Sequence, residues 1–100
     1  MRIIAKITLA AAASLLATGA FAYTGQELAK NAKVTLDQAE KIAVKARPGK
    51  ITDKELEKEV GGSGLRYSFD IKAKGITYEV GIDAADGKVL ENGKEGAHPD

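Results

Sequence analysis

The period-two run from Leu65 to Asp83 constrains the fold most. Leu65, Tyr67, Phe69 and Ile71 alternate with Arg66, Ser68, Asp70 and Lys72; after Lys74-Gly75, Ile76, Tyr78, Val80 and Ile82 alternate with Thr77, Glu79, Gly81 and Asp83. Successive side chains on a strand point to opposite faces, so each half predicts a strand with one apolar face, and the short break predicts a hairpin. If Lys74-Gly75 is the loop, Ala73 faces Ile76 and facing residue numbers sum to 149. Ile71 then meets Tyr78, Phe69 meets Val80, and Tyr67 meets Ile82. A slip of one residue would destroy that agreement. The opposite face pairs Arg66 with Asp83, Asp70 with Glu79 and Lys72 with Thr77, and is expected to be solvated or to touch a partner.

An apolar sheet face needs a cover. Thr35-Leu36-Asp37-Gln38 has capping-box spacing, and Leu36, Ala39, Ile42, Ala43 and Ala46 follow at three- and four-residue steps. This predicts an amphipathic helix over 35–46, stopped by Arg47-Pro48-Gly49 because proline disfavours helical geometry in the residue before it. Its small side chains suit close approach to a sheet. Upstream, Thr24-Gly25-Gln26-Glu27 repeats the capping spacing and predicts a short helix over 24–32. Downstream, Ala84-Ala85-Asp86-Gly87 reads as a turn and Lys88–Glu91 as a short last strand. Residues 92–100 are glycine, proline and charge, and read as a loose tail.

Residues 51–60 carry two signals. Thr52-Asp53-Lys54-Glu55 is a capping pattern among good helix formers, which favours helix. Leu56, Lys58 and Val60 alternate as an edge strand would. Gly61-Gly62-Ser63-Gly64 reads as a flexible connection.

Arg2 and Lys6 flank a charged start, Ile7–Ala17 is uncharged and mostly apolar, and Ala20-Phe21-Ala22 closes the stretch. These are the three parts of a secretory signal peptide, and the apolar run is about half the roughly 20 residues a spanning helix needs. Residues 1–22 are therefore expected to be removed, with the product in the periplasm or, as the alternative, secreted. Removing the first 22 of 100 residues leaves 78; losing Arg2 and Lys6 from 15 basic residues leaves 13 against 14 acidic ones. No global charge then selects nucleic acid or an anionic membrane.

Cysteine is absent and His98 is the one histidine. Disulfides, thiolate zinc sites and thiol nucleophiles are thereby excluded. A Ser–His pair needs its base held rigidly, and His98 sits in the tail; with Glu95 and Asp100 it has nothing to fix a metal-binding geometry. Asp83-Ala84-Ala85-Asp86-Gly87 fails the EF-hand spacing, because Gly87 at position six puts Ile82 and Ala84 at positions one and three. The glycines of 61–64 lack the following Lys-Ser/Thr of a phosphate loop. Tyr67, Phe69 and Tyr78 share the apolar face and read as core, not as a base-stacking platform.

A capped helix running into Pro-Gly, a charged segment, then Tyr-x-Phe-x-Ile and Tyr78-Glu79-Val80-Gly81-Ile82-Asp83-Ala84-Ala85-Asp86-Gly87-Lys88-Val89-Leu90 resembles a PepSY domain. The resemblance covers residues 34–91, after a linker over 23–33. It implies a helix packed on an antiparallel sheet and resolves 51–60 toward strand. It also implies a role outside the cytoplasm in binding and restraining peptidases.

The expected fold is α+β, with helix 35–46 on an antiparallel sheet of three to four strands. The expected function is that of an exported, non-enzymatic binding module without cofactor or bound metal, with a protein partner such as an extracytoplasmic peptidase. The alternative is an envelope protein that binds a small ligand, a metal or a membrane-protein partner. The candidate partner-binding residues are Asp70 and Glu79, two carboxylates brought face to face by the hairpin register. An edge strand at 50–60 would offer a place for strand addition.

Overall fold

The computed structural model describes residues 22–96. The chain runs from a 3-10 helix, Gln26–Asn31, through α1 (Leu36–Ala46) to four strands, β1 (Lys50–Lys58), β2 (Leu65–Ala73), β3 (Ile76–Asp83) and β4 (Val89–Lys94). The strands form one antiparallel sheet in the order β1-β2-β3-β4, with α1 across one face.

The hairpin register is the one read from the sequence. Ile71 pairs with Tyr78, Phe69 with Val80, Tyr67 with Ile82 and Ala73 with Ile76. Lys74 and Gly75 make the loop at φ 53° and 79°, both positive, as the tight hairpin turn that matches strand twist requires. The inner face is sealed: Tyr67, Phe69, Ile71, Val80 and Ile82 are at most 1% exposed and meet Ala39 and Ala43 of α1, both fully buried. The two alanines let the helix axis come close to the sheet, while Leu36 and Ile42 pack at the margin. The Tyr67 hydroxyl donates to Val34 O at 2.7 Å, so its one polar atom is satisfied under the helix. Tyr78 lies at the rim, half-buried, with the Arg47 guanidinium 3.9 Å above its ring.

α1 begins at a complete capping box: Gln38 N–H donates to Thr35 Oγ1 at 3.1 Å, and Thr35 N–H donates to Gln38 Oε1 at 2.9 Å. Residues 50–58 are strand, against their helical propensity. Leu56, 1% exposed, is the reason: on a strand it faces the core opposite Tyr67, and tertiary burial outweighs a local preference of a few tenths of a kcal/mol per residue.

Two of the expected elements need correction. The segment expected as a helix over 24–32 is a six-residue 3-10 helix, and Thr24 is not its cap. Gly25 stands there at φ 86° without a side-chain cap, and Thr24 instead bridges in parallel to Glu55, its carbonyl accepting from Leu56 N–H at 2.8 Å. With no buried residue of its own, the turn lacks the packing that would sustain a longer helix. The last strand also continues past Glu91, so Asn92–Lys94, read as tail, pair with β3. Asn92 earns its place through its side chain, which accepts from Arg47 Nε at 3.0 Å and donates to Ala46 O at 3.4 Å, joining β4 to the end of α1. The expected signal peptide up to Phe21, and His98 with Asp100, lie outside the described residues.

Candidate functional site

The outer face of the sheet holds the site. Asp70 and Glu79 are direct partners across β2 and β3, as the register requires. The structure adds residues that sequence reasoning did not. Asp53 pairs with Asp70 on the other side, and Glu95 follows the end of β4. Carboxylate oxygens of Asp70, Glu79 and Glu95 lie within 4.8 Å of one another. Two unit charges at such a distance repel by on the order of 1 kcal/mol even in water.

Burial of Leu56 turns Lys54 and Lys58 to its own face, and Lys54 Nζ bonds Glu40 of α1 at 2.8 Å. The same alternation turns Asp53, Glu55 and Glu57 outward. Asp53, Glu55, Glu57, Asp70, Glu79 and Glu91 line a hollow of about 150 Å³ on the outer face. Ser68 crosses it, its hydroxyl donating to Glu57 Oε2 at 2.6 Å. Burial and the neighbouring carboxylates act together on two of these groups. Burial first, then Glu57, Asp53 and Asp70, push the Glu55 carboxyl up. Burial first, then Glu95 and Asp53, push Asp70 up.

The other end of the outer face is not solvated, which corrects the sequence expectation. Arg66 is 8% exposed and Asp83 is 3% exposed. Arg66 does not need Asp83 as its hydrogen-bond partner. Its guanidinium crosses Gly81 to Glu91, Nη1 to Oε1 at 3.4 Å, and Nη2 donates to Val60 O at 3.3 Å. A side chain at Gly81 would stand 3.3 Å from Nη1, so the glycine supplies the corridor. Asp83 instead ties down the loop before β2: it accepts from the Ser63 hydroxyl at 2.5 Å, from Ser63 N–H at 2.9 Å and from Ala85 N–H at 2.9 Å. The Ser63 hydroxyl foremost, and then the Ala85 N–H, hold the Asp83 carboxyl below its usual range against the opposing effect of burial. Residues 61–64 are thus anchored at Ser63 and not merely a flexible connection.

The carboxylates lie in a shallow polar hollow, and the rings of Tyr67 and Phe69 are sealed under α1. The family profile described as "Peptidase propeptide and YPEB domain", PepSY, matches residues 33–92. The chain belongs to the PepSY family. A search of curated proteins and a search of solved structures each give no match. The match runs from the linker that Ala84 O holds through Lys33 and Val34 N–H, both at 2.9 Å, to Asn92 on β4. It therefore takes in the whole sheet but for the end of β4, and α1 with it. PepSY domains associate with peptidases as propeptides and are in general regulatory modules, not catalysts. No helix among the described residues is long and apolar enough to cross a membrane.

Proposed function

We propose that the chain is an exported, non-enzymatic PepSY module that binds and restrains a peptidase outside the cytoplasm, presenting the outer sheet face to it. The observation that carries this reading is the division of the sheet: Leu56, Tyr67, Phe69, Ile71, Val80 and Ile82 of the inner face are buried in the core, while Asp53, Glu55, Glu57, Asp70 and Glu79 are gathered on the other face beneath no element among the described residues. A hollow whose charged lining is acidic steers a basic partner and selects against acidic ones more than it adds affinity.

The test is a titration of extracytoplasmic metallo- and serine peptidases with the chain as the producing cell processes it. The reading expects the rate to fall with an end point near one chain per peptidase. Unchanged rates across all of them, together with a melting shift produced by a small ligand or a metal ion, would move the assignment to the alternative of a ligand-binding envelope protein.

A further inference from the structure

The β1 edge, the place expected for strand addition, is already taken. Leu56 N–H is bonded to Thr24 O, a strap across the edge, and Gly25 lies so close that a Cβ there would stand 1.7 Å from Leu56 O. A bulge interrupts the same strand between Ile51 and Asp53. These devices protect an edge from further pairing. The inner side of the same strand offers a different kind of place.

α1 packs on β2, β3 and β4, whereas β1 is met by the short 3-10 helix. Between that helix, the end of β1, the loop before β2 and the turn after β3 lies a hollow of about 410 Å³. Leu28, Leu65 and Ala85 supply its apolar surface. Leu28 and Leu65 pack against the core yet are only half-buried, so the margin of the core is open to solvent here. Gly64 also lines the hollow, and a Cβ there would meet no atom within 4 Å. The loop that carries it is anchored next door, at Ser63, by Asp83.

The charged groups of this hollow are Lys33 and Lys58, and no carboxylate among the described residues lines it. Lys58 is the cross-strand partner of Leu65, which sets a cationic side chain directly beside an apolar one. Both lysines are exposed, and among the described residues neither forms an ion pair. Asn31 adds a side-chain amide that can donate.

This combination selects its occupant. The ligand needs a negative charge next to an aliphatic group. Two lysines disfavour a free amino acid, whose own ammonium they repel. An Asp or Glu within a chain has its carboxylate on the side chain and leaves nothing for Leu28 and Leu65. The last residue of a polypeptide, if aliphatic, carries carboxylate and side chain on one carbon, with its nitrogen acylated and neutral. The volume lies within the range of small-ligand sites.

We propose that this hollow binds the free carboxyl terminus of a polypeptide ending in an aliphatic residue, the carboxylate toward Lys33 and Lys58 and the side chain on Leu28 and Leu65. Hydrolysis of a peptide bond is the class of reaction that supplies such an end. Lys58 and Leu65 share the face of Leu56, opposite that of Asp70 and Glu79, so the site is separate from the acidic outer face.

The test is a nuclear magnetic resonance titration of the processed chain with N-acetyl-alanyl-leucine, with the same peptide amidated at its C-terminus, and with octanoate. The acid is expected to shift the amides of Lys33, Lys58, Gly64, Leu65 and Ala85 saturably and to leave Asp70 and Glu79 unmoved. It should bind about tenfold more tightly than the amide, the effect of two exposed ion pairs, and more tightly than octanoate. Lys33→Gln/Lys58→Gln should bind acid and amide alike. Ala85→Phe should fill the hollow and bind neither; Ala85 is exposed, and the change keeps the backbone N–H that it donates to Asp83. The three ligands on the unaltered chain decide the matter even if a variant fails to fold. Equal affinity for acid and amide, tighter binding of octanoate, shifts centred on Asp70, or no saturable shift would each overturn the proposal.

Discussion

Asp83 receives the hydroxyl of Ser63 at 2.5 Å and so holds the loop before β2 against the turn after β3. The two residues are twenty apart in sequence, and their bond joins both ends of the hairpin. Because these bonds favour the ionised form, the folded-state pKa of Asp83 lies below its unfolded value of about 3.9. The stabilisation is complete above that value and is lost as pH falls through the folded-state pKa. Asp70 and Glu55 act in reverse. Their folded-state values are raised, so the native state binds protons more tightly and gains stability as pH falls through those raised values. The melting temperature should therefore rise slightly as pH falls from neutrality toward the ordinary carboxylate range of about 4, then fall below it. Asp83→Asn should remove most of the acid fall, and Asp70→Asn with Glu55→Gln the rise; a flat profile in the wild type would contradict both assignments.

Phe69 is 1% exposed and stacks near Tyr67, ring centroids 6.4 Å apart. Phe69→Ala should cost about 3–5 kcal/mol. Small domains of this size hold on the order of 5 kcal/mol in total, so the variant should be largely unfolded or melt far below wild type in a circular dichroism scan. A shift of a few degrees would mean that the ring is not in the core.

Asp70→Asn removes one member of a like-charged cross-strand pair and should stabilise by a few tenths to about 1 kcal/mol. For a domain this small that is a rise in melting temperature of up to about 8 °C, shrinking with added salt. An unchanged or lower melting temperature at low salt would mean that Asp70 makes a favourable contact the structure does not contain.

Gly25→Ala meets two obstacles, a φ of 86° and the carbonyl of Leu56. The variant should release the Thr24 strap, costing more than about 1 kcal/mol. Hydrogen exchange at the Leu56 amide should accelerate while the Phe69 amide changes much less. Equal protection of Leu56 in the variant would show that the strap is not what shields that edge.

Much of this was readable from residue order. Alternation over 65–83 specified the hairpin register because one face had to be apolar throughout, and the same register put Asp70 against Glu79. Thr35 and Gln38 announced the start of α1 because capping is a local interaction. What escaped was non-local. Thr24 carries a capping pattern, but whether it caps a helix or bridges to Glu55 depends on where β1 lies. Asp53 joins the acidic face only because burial of Leu56 decides which way the strand faces. The roles of Arg66 and Asp83 had a faint signal, a charged pair in register beside Gly81; that Arg66 would reach past Asp83 to Glu91 needed the corridor over the glycine. Glu95 was hidden by reading the residues after Glu91 as tail.

The central claim is that the acidic outer face is a binding surface for a peptidase. The most direct measurement compares inhibition of the responding extracytoplasmic peptidase by the processed chain and by its Asp70→Asn/Glu79→Gln form, at low and at raised salt. The account predicts a double variant that is folded, melts no lower than wild type, and inhibits at least about tenfold less well at low salt, with the gap closing as salt rises. Equal inhibition by both forms at every salt concentration would contradict it.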